Sequence, residues 1–224
     1  MNRMFPYEYR LEDMFREVHE SPLLEVLDEH RGPGAPGLDP AGLFQIIAED
    51  GYPLAPGLQE CYFPYRNMAL HWRAADSGTP LFGEFDVMSI VTSPDRRVPV
   101  DDLARDDDDR ALLSELRVLD DISLGGEGRL ATMRYHVGVT SPDIWFLDRY
   151  HAYIRLDLDY RAYLDNLLVT KGVTGWQYLF ADVDLSDREY RYILENIRAM
   201  LRIFPEEFPD HNYDPLAARL EARL

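Results

Sequence analysis

The sequence predicts an α+β fold: an antiparallel sheet with helices packed on one of its faces, and helical regions at both ends of the chain. Three observations carry that reading. Leu11, Met14, Phe15 and Val18 follow helical spacing near the N-terminus. Ala131, Met133, Tyr135, Val137 and Val139 alternate with Thr132, Arg134 and His136, as a half-buried strand does. Tyr190, Ile193, Leu194, Ile197, Met200, Leu201 and Phe204 then form a one-sided helical stripe that runs to Pro205.

Each element has a local reason. Ser21-Pro22 supplies an N-cap and a first-turn proline, so a second helix is expected over Leu23, Leu24, Val26 and Leu27. Arg31 to Gly37 holds two prolines and three glycines and marks a loop. It divides the chain into a helical segment (1–31), a Gly/Pro-rich loop (32–39) and a single α+β domain (40–224). Asp39-Pro40 repeats the capping pattern for a short helix closed by Gly51. Tyr65, Met68, Ala69 and Trp72 are spaced as another helix, ended by the turn Asp76 to Pro80. Phe85, Val87 and Val91 read as a strand, with a helix from Leu81 as the alternative. Residues 101–121 read as a charged helical region with Leu112, Leu113, Leu116 and Leu119 inside. The strands near 131–139, 144–147 and 150–156 are joined too closely for parallel crossovers, so they form an antiparallel meander. Asp159 caps a helix carrying Tyr160, Tyr163, Leu164, Leu167 and Leu168, closed by Gly172. Ser186-Asp187-Arg188-Glu189 is a capping box for the long helix that follows, and Asp214-Pro215 opens a last short one.

Composition narrows the function. The 224 residues carry 41 acids against 23 bases, a net charge of −18. That charge opposes non-specific nucleic-acid binding. At 46% hydrophobic, the chain has material for a core and is no disordered acidic tail. The first twenty residues are too charged for a secretory signal, and the longest charge-free stretch, Gly172 to Ala181, is about half a membrane span. A cytoplasmic protein without a membrane partner is expected. One cysteine, Cys61, allows neither an intramolecular disulfide nor a cysteine zinc cluster. Of the bases, only Lys171 is lysine.

No motif points to a reaction. Asp106 to Asp109 lacks the alternating oxygens, central glycine and closing glutamate of a calcium loop, and reads as a helix cap. Loops begun at Asp157 or Asp182 place Leu168 or Ile193 where the glutamate belongs. Among His19, His30, His71, His136, His151 and His211 there is no zinc-protease spacing, though His136 and His151 fall on adjacent expected strands. Cys61 lies in apolar surroundings that favour an inert thiol. Gly125 to Gly128 reads as a hairpin turn, and the run Trp176 to Phe180 as core. Neither a cofactor nor a metal is expected.

Tyr160 to Gly172, with its aromatic-x-x-aromatic-Leu-x-x-Leu-Leu helix, is followed by Trp176-Gln177-Tyr178-Leu179-Phe180. This segment resembles the closing helix of the SUKH superfamily, and the strands over Arg129 to Leu156 fit the sheet before it. The resemblance covers residues 110–181 well and 40–109 loosely. It implies an α+β fold and, for bacterial members, an immunity protein that neutralises a toxin, with no shared catalytic residues. The expected role is therefore a non-catalytic protein-binding one, with a basic toxin, such as a nuclease, as partner. The alternatives are a regulatory or scaffold protein of the same fold, and an enzyme assembled from scattered residues such as His136 and His151. The expected contact residues are Asp101, Asp102, Asp106, Asp107, Asp108 and Asp109, joined by Asp182, Asp184 and Asp187.

Overall fold

A computed structural model describes residues 5–34, 39–122, 128–136, 138–148 and 153–224. In chain order the elements are α1 (Pro6–Glu20), β1 (Leu24–Arg31), α2 (Pro40–Glu49), α3 (Pro56–Gln59), β2 (Asn67–Ala74), β3 (Phe82–Met88), α4 (Val100–Leu103), α5 (Asp107–Glu115), β4 (Leu116–Ile122), β5 (Arg129–Arg134), β6 (Asp143–Asp148), β7 (Tyr153–Arg155), α6 (Tyr160–Thr170), α7 (Arg191–Glu207) and α8 (Asp214–Glu221). Short 3-10 turns stand at Ser93–Asp95, Trp176–Phe180 and Arg188–Tyr190. The fold is α+β. The seven strands lie side by side in sequence order, each antiparallel to the next.

The alternation of strand side chains gives the sheet two apolar faces. Met68, Leu70, Trp72, Phe85, Val87, Met133, Ile144 and Phe146 face the main core, where they meet Leu11 and Phe15 of α1, Tyr163 and Leu167 of α6, and Ile197 and Phe204 of α7. Helices were expected on one face only. A second, smaller core instead covers the other face, where Leu116, Val118 and Leu147 pack with Val98 and Leu113, flanked by Val100, Leu103, Leu112, Leu130, Trp145 and Tyr153. The link between β3 and β4 supplies this layer as α4 and α5. Arg117, nearly buried, fastens it by donating to the carbonyls of Pro94, Ser114 and Leu116 at 2.9–3.1 Å.

Several local expectations are corrected. The segment after Ser21-Pro22 is strand, not helix: Leu24 and Val26 turn inward, and a bulge between Val26 and Asp28 leaves Leu27 exposed. Residues 5–31 thus give one helix and one strand to the common sheet and core. The stripe from Met68 to Trp72 is also strand (β2), and the burial of Ala69 on the face opposite Leu70 blurs its period. The region 101–121 breaks at Leu116 into α5 and then β4. The Ser186 capping box does not form: Ser186 Oγ bonds Asp184 instead, and the chain enters α7 through the 3-10 turn. Pro205 sits inside the last turns of α7, which continues to Glu207. The caps at Asp39, Asp106 and Asp159 are present, each carboxylate accepting an amide at 2.8 Å. Val137, Gly125 to Glu127 and residues 149–152, on which parts of the expected strands and turn fall, lie outside the described residues.

Between β3 and β4 the ladder is short, with Val87 and Asp120 as its only paired residues among those described. The neighbouring place along β3 is taken by the chain just after α6. Gly83 bridges Val173, the Glu84 amide donates to the Gly172 carbonyl (2.9 Å), and the Thr174 amide donates to the Phe82 carbonyl (3.0 Å). Gly172 is required here: its φ is +72°, and a Cβ would lie 2.8 Å from Phe85 and 3.0 Å from the Glu84 carbonyl oxygen. Buried Asn196 of α7 seals the junction, accepting from the Phe82 amide and donating to the carbonyls of Phe82 and Thr174.

Candidate functional site

The α4–α5 layer places Asp101, Asp102, Asp106, Asp107, Asp108 and Asp109 on one outer surface, since its leucines are turned into the second core. Asp109 pairs with Arg105 at 2.7 Å, and that contact holds its carboxyl below the usual range. Asp101 pairs with Arg110 at 2.6 Å, and Asp106 caps the helix. Among the described residues no ion pair reaches Asp102, Asp106, Asp107 or Asp108, and all four are exposed. Their position before and within the first turn of α5 suits the helix dipole, so the negative surface is also locally stable.

Asp182, Asp184 and Asp187 do not join this surface. They flank Ala181 and Leu185, which belong to the main core, so the sheet stands between the two acidic groups. Asp182 pairs with Arg223 at 3.1 Å, and Asp184 is held below its usual range by the Ser186 hydroxyl and amide.

The groups expected to matter for an enzyme are arranged otherwise. His136 lies 3.7 Å from Glu115, a carboxylate already engaged by Arg134 at 2.7 Å. His151 lies outside the described residues. Cys61 is buried, with its thiol pushed up to about 11 by burial, and its Sγ contacts the Gly57 carbonyl. Trp176 is fully buried and packs against Tyr163 and Phe180. Among the described residues no three His, Cys, Asp or Glu side chains converge as metal ligands.

Two buried ionisable groups were not evident from the sequence. The first is Lys171, which ends α6 in the left-handed conformation (φ 54°) and is fully buried. Its Nζ donates to Glu17 and to the Leu168 carbonyl (3.0 Å), stands 3.1 Å from His211 Nε2, and lies over the Phe208 ring. Burial keeps this lysine below its ordinary range despite the carboxylate beside it. Burial alone would raise Glu17, but the hydrogen bonds from His211 and Lys171 prevail and hold it at about 2. An ammonium has three protons, and Glu17 and the Leu168 carbonyl take two of them. The adjoining cavity, bounded by Arg10, Asp13, Glu17 and His211, measures about 110 Å³.

The second is Asp120 in β4, fully buried against α6. It accepts from the Tyr163 hydroxyl and the Asp86 amide, both at 2.7 Å, while Gln177 donates to the same tyrosine oxygen at 3.2 Å. Burial pushes its carboxyl up to about 8, against those hydrogen bonds. Such values mark catalytic acids in open clefts; here the carboxyl is enclosed by the sheet and α6. The signals that might have revealed both groups were a lone lysine in an arginine protein and an aspartate inside an apolar run.

Comparison with family models, with curated proteins and with solved structures finds no match to this chain. No helix among the described residues is long and apolar enough to cross a membrane.

Proposed function

We propose that this chain is a cytoplasmic, non-catalytic binding protein that captures a basic protein domain on its α4–α5 surface, in the manner of an immunity protein neutralising a toxin. The observation that carries the reading is the set of exposed carboxylates Asp102, Asp106, Asp107 and Asp108, without ion pairs among the described residues, on a layer anchored by its own small core. A net charge of −18 adds a long-range field of the same sign, which accelerates encounter with a cationic surface. Lys171 and Asp120 are both buried, which supports a structural role for these two groups rather than a chemical one. The resemblance of Tyr160 to Phe180 to the SUKH superfamily supports the immunity reading.

The probe is the C-terminal domain of a toxin-like protein encoded beside this chain. Co-expression should protect cells from it, and association should slow at least tenfold between low salt and about 0.5 M, with dissociation little changed. Replacing Asp102, Asp106, Asp107 and Asp108 with asparagine should reproduce most of that loss while the fold is kept, because asparagine still caps α5. Association indifferent to both salt and these substitutions would remove the acidic surface from the mechanism.

A further inference from the structure

The opposite side of the molecule carries a surface of contrary character. Arg198 and Arg202 stand one turn apart on α7, both exposed, and line a cleft of about 430 Å³ with Glu195 and the turn Gly78-Thr79-Pro80. Among the described residues neither guanidinium has an ion pair, in a chain holding 41 acids. Two carboxylates border this region, and each has other partners. Glu195 is held by Arg191 at 3.0 Å, and Asp76 accepts from the Gly78 amide (3.1 Å) and the Thr79 hydroxyl (3.0 Å). Two like charges at this helical spacing repel, and among the described residues neither Glu195 nor Glu206, each about one turn away on α7, forms an ion pair with them.

The same turn borders a mainly apolar groove of about 570 Å³, lined by Pro22, Leu23, Ala74, Leu81 and Ile203, with Asp76 also on its wall. Thr79 lines both hollows, and α7 supplies Arg202 to one and Ile203 to the other. Leu23 is 45% exposed, one of the few large apolar side chains left open to water. An apolar hollow next to two uncommitted guanidiniums matches a ligand with the reverse pattern, a carboxylate beside a bulky apolar side chain.

We infer that this surface docks an extended segment of another protein in which Asp or Glu lies within a few residues of Leu, Ile, Met or Phe. The carboxylate sits between Arg198 and Arg202, and the apolar side chain enters the groove at Leu23 and Ile203. This partner differs in charge from the basic domain proposed for the α4–α5 surface. The two sites lie on opposite faces of the sheet, so both can be occupied at once.

A random dodecapeptide library displayed on phage, selected against the intact protein, tests the assignment. Selected sequences should be enriched in an acid within three residues of a large apolar residue. Synthetic copies should bind the R198E/R202E double variant at least tenfold more weakly, roughly the effect of losing two partly exposed charge pairs. Leu23→Ser should weaken the same peptides, and circular dichroism and thermal unfolding should show both variants folded. Selection of peptides without the acidic-apolar pattern, or of peptides that bind the double variant unchanged, would overturn the proposal. No enriched sequence, together with tight binding of dodecanoate that the R198E/R202E variant loses, would overturn it in favour of a small amphiphile.

Discussion

Replacing Glu17 with glutamine isolates the role of the buried lysine. The change keeps the shape of the side chain but leaves the Lys171 ammonium buried without a carboxylate, facing only neutral acceptors such as the Leu168 carbonyl and the new amide oxygen. Removing one partner of a fully buried pair costs about 3–5 kcal/mol. Glu17 is 28% exposed, so water compensates in part and about 2–3 kcal/mol should remain. In a chain of this length that lowers the melting temperature by roughly 4–12 °C. Removing the cation as well, in an E17Q/K171M double variant, should recover most of the loss, because methionine fills the same space without a charge to desolvate. Urea unfolding of the two single variants and the double variant gives the coupling energy directly. A cost below about 1 kcal/mol for E17Q, or strictly additive effects, would show that the lysine is not held by its carboxylate. The acid branch is a second check. A carboxyl held at about 2 in the folded state adds stability that is complete above its unfolded value near 4.5 and is lost as pH falls toward 2. E17Q should be less sensitive to acid in that window than the parent.

Three further outcomes are expected. Asp120 titrates at about 8 when folded, so its neutral form contributes stability that is complete below about pH 4 and declines as pH rises to 8; Asp120→Asn should flatten that decline and gain more than ~1 kcal/mol at pH 9, measured by urea unfolding. Gly172→Ala should cost about 2–3 kcal/mol, from a positive φ and a Cβ against Phe85 and the Glu84 carbonyl, and a thermal scan reads it. Trp176→Ala should cost about 3–5 kcal/mol, the usual price of deleting a fully buried large aromatic; an unchanged melting temperature would place Trp176 outside the core.

Legibility from the sequence followed the number of faces each element buries. Helices α1, α2, α6, α7 and α8 bury one stripe each, and their apolar spacing or caps announced them. Strands β5 and β7 were recognisable by alternation, although β5 ends at Arg134 rather than Val139, and β6 by its apolar run after Ser141-Pro142-Asp143. Strand β2 was not, because Met68, Ala69 and Leu70 are all buried and chance to match helical spacing as well. Strand β4 was concealed for another reason: Arg117 and Asp120, both buried, interrupt a run that otherwise reads as apolar, and their partners include the Pro94 carbonyl, the Asp86 amide of β3 and Tyr163 of α6. The acidic surface was visible as composition, but its separation from Asp182, Asp184 and Asp187 depends on which layer covers which face. The Lys171 cluster joins residues from α1, α6 and the turn before α8, a meeting that no local pattern encodes.

The strand-like insertion of Gly172 to Thr174 beside β3 sets a timetable for synthesis. β1, β2 and β3 pair between neighbours in the chain and can assemble as they emerge, since their contacts are local. The outer side of Phe82 to Glu84, however, finds its partner only after about ninety more residues have been made. At roughly 5–20 residues per second that interval is on the order of 5–20 s. Throughout it the nascent hairpins present an open edge of the kind that recruits foreign strands. The glycine-bearing turn after α6 therefore acts as the chain's own delayed closure, and the stretch of greatest exposure to mispairing is over when Thr174 is in place.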